Sequence, residues 1–211
     1  MKNFDISLYF VTDSRYQDEA GFLHQIEEAC AGGATIVQLR EKDKTSREYY
    51  NLGLKVKAIT DKYNLPLIID DRLDIALAIG AAGVHVGAED LPVKRIREIA
   101  GNDFIIGATA KTVEWALDEE NQGADYLGVG AIYPTKTKVK TVLTSVDTLT
   151  DIIHHVHIPV LAIGGLNGDN LDVLKGAPIN GIAVVRALQC AEDPRKTAQD
   201  LLAKSHALQQ R

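Results

Sequence analysis

Ile68-Ile69-Asp70-Asp71 is an apolar run that stops abruptly at carboxylates, and Val84-His85-Val86-Gly87-Ala88-Glu89-Asp90 is a second one. Asp71 and Asp90 lie 19 residues apart, about the length of one strand–helix–strand unit. Parallel neighbours in a sheet lie roughly 5 Å apart, so such strands would bring both carboxylates to one rim. Two acidic groups on one rim repel each other unless a cation lies between them. Mg²⁺ is a suitable cation, because it binds one or two protein carboxylates together with substrate phosphates.

Apolar runs of this kind recur along the whole chain. They are nearly continuous rather than alternating, as expected of parallel strands buried on both faces. The eight predicted strands are Leu8–Val11, Thr35–Leu39, Leu67–Ile69, Val84–Val86, Phe104–Ala108, Tyr126–Val129, Val160–Ile163 and Ile182–Val185.

Helical patterns separate the strands, and several strands follow a glycine-containing turn such as Gly32-Gly33-Ala34. The predicted helices are Ala20–Ala31, a helix capped by Ser46 that runs to about Tyr63, Leu73–Ile79, Val93–Ala100, Val113–Asn121, Ser145–His155, Leu171–Lys175 and Pro194–Leu208. Strict alternation of eight strands with eight helices predicts an α/β fold, a single (β/α)₈ TIM barrel over residues 1–211. A doubly wound open sheet is the alternative, although it usually has fewer strands.

The composition of the chain argues against nucleic-acid-binding and membrane-spanning functions. The hydrophobic fraction of 45% and the charged fraction of 25% are typical of a soluble globular protein. A net charge of -6 argues against a general nucleic-acid surface, and no stretch is long enough for a membrane span. The residues before the first predicted strand lack the apolar segment of a signal peptide, so none is expected. Cys30 and Cys190 are not part of a Cys-x-x-Cys motif and are expected to be buried thiols. We therefore expect a cytoplasmic protein with no nucleic-acid or membrane partner, and the oligomeric state stays open.

In TIM barrels the chemistry lies at the carboxyl ends of the strands. The second strand ends in Gln38-Leu39-Arg40-Glu41-Lys42, where Arg40 and Lys42 are two residues apart and point to the same face. Guanidinium and ammonium groups at a barrel mouth suit a phosphate ligand. The alternative is a charged, solvated loop.

The loop after the sixth strand is about 15 residues long, more than is usual for a βα connection. Thr135, Lys136, Thr137 and Lys138 in this loop can all donate hydrogen bonds to phosphate oxygens. Long loops in compact domains often act as lids or binding loops. A disordered basic loop is the alternative.

The last two strands end at a glycine pair, Gly164-Gly165, and at Val185-Arg186. Loops in this part of a TIM barrel commonly bind phosphate through backbone N–H groups. At the end of the fifth strand, Thr109 is a possible donor to substrate and Thr112 a predicted helix N-cap. His85, inside the fourth strand, reads as a core residue.

Taken together, these residues resemble the thiamine phosphate synthase family, also called thiamine-phosphate pyrophosphorylase. The resemblance covers nearly the whole chain, and it rests on Leu8–Asp13, Gln38–Lys42, Asp70–Arg72, Gly87–Pro92, Pro134–Lys138 and Ile163–Gly165. It implies a (β/α)₈ barrel that joins 4-amino-2-methyl-5-hydroxymethylpyrimidine diphosphate to 4-methyl-5-(2-hydroxyethyl)thiazole phosphate. The implied products are thiamine phosphate and diphosphate, formed by a dissociative substitution assisted by one Mg²⁺ per subunit.

The resemblance also implies roles for individual positions. Asp71 and Asp90 match the magnesium ligands. The positions that match the pyrimidine diphosphate site are Gln38, Leu39, Arg40, Glu41, Lys42, Thr109 and Lys138, with Asp70 beside them. The positions that match the thiazole phosphate site are Thr135, Lys136, Thr137, Gly165, Val185 and Arg186. Because negative charge grows on the leaving diphosphate, Arg40, Lys42 and Lys138 are the expected catalytic residues.

The sequence departs from the family pattern at several of these positions. Asp70 stands where an Asn is usual, so that it either helps to hold the metal or weakens diphosphate binding. Four other positions differ from the residue that is common in the family: Ala88 replaces Gln, Thr109 replaces Ser, Lys111 replaces His and Arg186 replaces Ser. Three other functions stay open: a thiazole tautomerase-like isomerase, a non-catalytic paralogue that binds thiamine phosphates, and a Schiff-base aldolase with Lys42 or Lys138 as nucleophile.

Overall fold

In the described part of the chain, eight parallel strands close into a barrel, each pairing with the next along the sequence, and the last strand pairs with the first through Ile182 and Leu8. The computed structural model describes residues 4–134 and 142–210. The strands are β1 (Leu8–Val11), β2 (Ile36–Leu39), β3 (Leu67–Asp70), β4 (Gly83–Val86), β5 (Ile105–Ala110), β6 (Tyr126–Gly130), β7 (Val160–Ile163) and β8 (Gly181–Val184). The predicted barrel is confirmed, and the open-sheet alternative is excluded.

The near-continuous apolar runs are explained by burial on both faces of the sheet. In β1, Leu8 and Phe10 belong to the large core between the sheet and the helices, whereas Tyr9 and Val11 belong to the smaller core inside the barrel. Successive side chains of a strand point to opposite faces, so a strand can supply both cores. Every strand except β4 does so, and β4 contributes Val84 and Val86 to the outer core only.

The helices are α1 (Glu19–Gly32), α2 (Ser46–Lys62), α3 (Leu73–Ile79), α4 (Val93–Ala100), α5 (Val113–Gln122), α6 (Val146–His155), α7 (Arg186–Gln189) and α8 (Pro194–Gln209). Thr112 caps α5 as predicted. The cap of α2 is Thr45 rather than Ser46. Thr45 forms a reciprocal capping box with Glu48, which satisfies two backbone N–H groups at the helix start.

Strict alternation fails between β7 and β8. The predicted helix over Leu171–Lys175 is a short 3₁₀ turn, Leu171–Leu174, which lacks a side-chain cap. A second 3₁₀ turn, Ser14–Tyr16, follows β1. After β8 the chain forms the short α7 before α8, so the carboxyl end of β8 leads directly into a helical turn.

Two further observations bear on the expectations from composition. Cys30 is buried as predicted, but Cys190 is exposed. Among the described residues, no helix combines the length and the apolar character needed to cross a membrane.

Candidate active site

A cavity of about 590 Å³ opens at the carboxyl ends of the strands, and every strand or the loop after it contributes to its wall. The charged and titratable side chains that line it are Arg40, Asp70, His85, Lys111, Arg186 and Cys190. A wider groove of about 960 Å³ lies at the opposite end of the barrel. The described residues that line this groove include Asp5 and Asp61 but no Lys, Arg or His, so its charge is unsuited to phosphate. The smaller cavity is therefore the candidate site for anionic substrates.

Two cations converge on one buried carboxylate at the β2–β3 side of the cavity. Asp70, only 8% exposed, accepts a hydrogen bond from Gln38 Nε2 at 3.3 Å. Its Oδ2 atom lies 2.9 Å from Lys42 Nζ and 3.6 Å from Arg40 Nε. Arg40 and Lys42 thus share one side of the chain, as their spacing predicted, and Gln38 lies on the same side.

Two predicted substrate-binding residues in this segment do not turn their side chains to the cavity. Leu39 is fully buried in the outer core, and its carbonyl accepts a hydrogen bond from Tyr49 at 2.6 Å. Glu41 is bonded to Ser14 Oγ and lies 3.8 Å from Lys44. The alternation of an extended chain explains the difference, since residues between Gln38, Arg40 and Lys42 must point the other way.

The surroundings of Asp70 disfavour the ionised form of its carboxyl group. Burial is the largest cause that raises its pKa to about 6, and the neighbouring charge of Asp71 acts in the same direction. Lys42 and Arg40 oppose this rise. The carboxylate is therefore held at the rim by two cations against desolvation and like-charge repulsion.

Asp71 and Asp90 lie next to each other at the ends of the paired strands β3 and β4. Asp71 adopts a left-handed backbone conformation with φ of 61°, which short polar residues tolerate better than most. Asp90 Oδ2 accepts a hydrogen bond from the backbone N–H of Gly87 at 2.8 Å. Lys42 Nζ also contacts the Asp71 carboxylate.

This pair of carboxylates fits a divalent cation. Burial raises the pKa of Asp90, and the charge of Asp71 raises it further. Within residues 4–134 and 142–210, no group of three or more His, Cys, Asp or Glu side chains is arranged to hold a metal ion. Two carboxylates suit Mg²⁺, which takes its remaining ligands from water and substrate phosphates, better than a metal that needs a complete protein cage.

A buried polar chain runs from the cavity into the barrel. Thr109 Oγ1 lies 3.1 Å from His85 Nε2, and His85 Nδ1 lies 3.1 Å from Tyr126 Oη. Tyr126 Oη lies 2.7 Å from Tyr9 Oη. His85, which the sequence predicts to be a core residue, lies instead in the cavity wall. The available signal was a polar residue at an inward position of an otherwise apolar strand.

The β7–β8 side of the cavity is built from backbone. Gly165 has φ of +67°, and a Cβ there would lie 2.6 Å from the Cβ of Tyr133, so a side chain is excluded by the start of the loop after β6. Val185 and Arg186 line the cavity at the start of α7. The Arg186 guanidinium lies 5.9 Å from the ring centre of Tyr16, within range of a cation–π contact.

The remaining predicted site residues lie outside the described part of the chain. They are Thr135, Lys136, Thr137 and Lys138. Lys111, which sequence reasoning noted only as a departure from the family pattern, lines the cavity at the end of β5.

A family model described as thiamine monophosphate synthase matches residues 8–188. The chain belongs to this family. Thiamine-phosphate synthase 2 of Streptococcus pneumoniae is 53% identical over 202 residues, covering 95% of this chain and 96% of that one. A thiamine-phosphate synthase of Clostridium tetani is 48% identical over 200 residues, with the same coverage. The solved thiamine phosphate pyrophosphorylase of Pyrococcus furiosus superposes with a TM-score of 0.88 at 39% identity, and 96% of each chain is covered.

Membership of the thiamine monophosphate synthase family confirms the predicted family, the predicted transferase class and the predicted synthase function. It favours none of the isomerase, binding-protein and aldolase alternatives. The roles of individual residues stay predictions that rest on the geometry described above.

Proposed function

We propose that the protein joins the pyrimidine diphosphate and the thiazole phosphate named above into thiamine phosphate, releases diphosphate and depends on Mg²⁺. The observation that carries the proposal is the grouping of two cations and three carboxylates, Arg40, Lys42, Asp70, Asp71 and Asp90, at one rim of the cavity. A metal held between Asp71 and Asp90 would supply positive charge to the leaving diphosphate.

The residues of the chain assist departure of the leaving group by electrostatics. Arg40 and Lys42 already lie at the cavity rim, where their positive charge can stabilise the negative charge that develops on the diphosphate oxygens. Lys138 is assigned the same role from its place in the sequence. The thiazole nitrogen then captures the pyrimidine methylene cation, which must be protected from water until it reacts.

The second substrate is assigned to the opposite side of the cavity. Gly165, Val185 and Arg186 lie there, and we propose that they bind the thiazole phosphate together with Thr135, Lys136 and Thr137. The Arg186 guanidinium can pair with phosphate through two hydrogen bonds, and its contact with Tyr16 limits where it can move.

Asp70 competes with the substrate for the same cations. Its carboxylate already pairs with Arg40 and Lys42, so diphosphate binding must exchange these internal ion pairs for new ones. We propose that Asp70 keeps the two cations in place in the free enzyme and thereby weakens diphosphate binding.

The experiment is a product assay with both substrates and Mg²⁺. We expect equal amounts of thiamine phosphate and diphosphate, and no product when either substrate is left out. Lys42→Ala should lower the rate strongly, whereas the matched control Lys44→Ala should not, because Lys44 contacts Glu41 outside the cavity. Rearrangement of a thiazole substrate in the absence of the pyrimidine would instead support the isomerase alternative, and binding without turnover would support the non-catalytic one.

A cytoplasmic location is also part of the proposal. It is supported by the exposed free thiol of Cys190, since such thiols persist in reducing compartments. The proposed partners are the two small phosphorylated substrates alone.

A further inference from the structure

The 3₁₀ turn after β1 carries an aromatic ring to a position beside the cavity. Tyr16, the last residue of this turn, is 38% exposed and is not among the residues that line the cavity. The Cζ atom of Arg186 lies over the ring of Tyr16, 5.9 Å from its centre. Arg186 itself lines the cavity, so the ring contacts the cation from outside and leaves it within reach of a ligand.

Contacts before Tyr16 in the sequence fix the turn. Asp13, only 2% exposed, caps the turn by accepting a hydrogen bond from the backbone N–H of Arg15 at 3.2 Å. The Asp13 carboxylate also pairs with the Arg15 guanidinium at 2.6 Å. Ser14 Oγ donates a hydrogen bond to Glu41 at 2.7 Å. The backbone that carries Tyr16 is therefore tied both to the end of β1 and to the loop after β2.

Contacts after Tyr16 join the turn to α7, the helix that carries Arg186. Gln189 of this helix is fully buried, and its Nε2 atom donates a hydrogen bond to Gln17 Oε1 at 2.8 Å. The Oε1 atom of Gln189 accepts a hydrogen bond from the backbone N–H of Asp13 at 3.3 Å. One buried amide thus connects the two elements that carry the ring and the cation, and it sets their relative position.

The charge of Arg186 is available for an anion. Among the described residues, no carboxylate forms an ion pair with its guanidinium and no hydrogen bond fixes it. A long side chain that becomes ordered only when a ligand binds weakens affinity, whereas one that is ordered beforehand does not. A guanidinium can contact an aromatic ring with its face and still donate hydrogen bonds to phosphate from its N–H groups.

We propose that Tyr16 is a positioning residue, whose ring holds the Arg186 guanidinium in the orientation that binds the thiazole phosphate. This inference rests on the proposed function for the identity of the phosphate. The ring acts through the cation and contacts neither substrate, so the aromatic face is required and the tyrosine hydroxyl is not.

Two substitutions separate the ring from its hydroxyl. Tyr16→Leu removes the aromatic face and should raise the KM for thiazole phosphate about two- to fivefold, the loss expected for a cation–π contact at an exposed site. The kcat and the KM for the pyrimidine diphosphate should not change. Tyr16→Phe keeps the ring and should match wild type. A raised KM in Tyr16→Phe would overturn the inference, because the hydroxyl would then bind substrate. An unchanged or lowered KM in Tyr16→Leu would also overturn it.

A double-mutant cycle tests whether the ring acts through Arg186. Tyr16→Leu should cause no further rise in the KM for thiazole phosphate in a protein that already carries Arg186→Ser. Tyr50 provides a matched control, because it is a tyrosine of α2 with a similar exposure of 37%. Tyr50→Leu should leave the KM for both substrates unchanged. Multiplicative losses in the double variant would overturn the inference.

A spectroscopic readout needs neither substrate. The NMR signals of the Arg186 δ-methylene protons, assigned by their loss in Arg186→Ser, should be shifted upfield by the ring current of Tyr16. The shift should persist in Tyr16→Phe and vanish in Tyr16→Leu. Signals that do not respond to Tyr16→Leu would refute the contact even in a fully active enzyme. If the wild-type protein made no thiamine phosphate, the proposed function would fail. The calorimetric affinities of wild type and Tyr16→Leu for thiazole phosphate would still decide the inference, and equal affinities would overturn it.

Discussion

Replacing Asp70 by Asn should stabilise the metal-free protein, although it removes a residue with two ion pairs. The rise of the Asp70 pKa from 3.8 to about 6 shows that burial and the Asp71 charge outweigh Arg40 and Lys42. Each tenfold change in proton affinity corresponds to about 1.36 kcal/mol, so ionised Asp70 costs the folded state roughly 3 kcal/mol. Asn resembles the neutral acid in shape and carries no charge.

The pH dependence has a definite sign. A carboxyl whose pKa is raised by folding binds its proton more tightly in the folded state, so its contribution to stability is present below pH 3.8 and is lost as the pH rises through about 6. The free energy of unfolding of Asp70→Asn should therefore exceed that of wild type by roughly 3 kcal/mol at pH 8 and by about half as much at pH 5.

The assay is urea unfolding in EDTA at these two pH values. The exposed Asp103 gives a control, since Asp103→Asn removes a charge at the surface and should leave the free energy of unfolding nearly unchanged. An Asp70→Asn protein less stable than wild type at pH 8 would refute the reasoning, because the ion pairs with Arg40 and Lys42 would then outweigh desolvation. In kinetics the variant should lower the KM for the pyrimidine diphosphate. A raised Mg²⁺ requirement would instead make Asp70 a metal ligand.

Three other substitutions test the proposed assignments. Asp90→Asn should lose Mg²⁺-dependent binding of diphosphate in a calorimetric titration, while its unfolding midpoint stays near that of wild type; undiminished binding would remove Asp90 from the metal site. Arg186→Ser should raise the KM for thiazole phosphate by about tenfold or more, which is the loss expected for a hydrogen bond to a charged group. The KM for the pyrimidine diphosphate should not change. An equal rise in KM for both substrates would contradict the placement of Arg186 beside the thiazole phosphate. Lys138→Ala should lower kcat more than it raises KM, whereas a change in KM alone would mean that Lys138 only binds substrate.

The architecture was predictable because burial on both faces leaves a clear mark in the sequence. Each of the eight apolar runs is a strand, and Gly33, Gly80 and Gly123 end helices in the left-handed conformation that glycine favours. The short 3₁₀ turn at Leu171–Leu174 was not predictable in the same way, because an apolar pattern over five residues does not distinguish one helical turn from a helix.

The candidate site was only partly predictable. The spacing of Arg40 and Lys42 indicated a common face, and the structure brings both to Asp70. The same alternation points the side chains of Leu39 and Glu41 away from the cavity. A resemblance that covers the whole Gln38–Lys42 segment does not distinguish the residues that face the cavity from those that do not. The link from His85 to Tyr126 joins residues 41 positions apart through the barrel interior, and no local pattern in the sequence encodes it.

The central claim is that two neighbouring strand ends hold a divalent cation that the leaving diphosphate needs. The most direct measurement is the steady-state rate of thiamine phosphate formation by EDTA-stripped wild-type protein as Mg²⁺ is added back. We expect no turnover without the metal and a rate that saturates as Mg²⁺ is restored. Full activity in EDTA, with both substrates present and product identified, would contradict it.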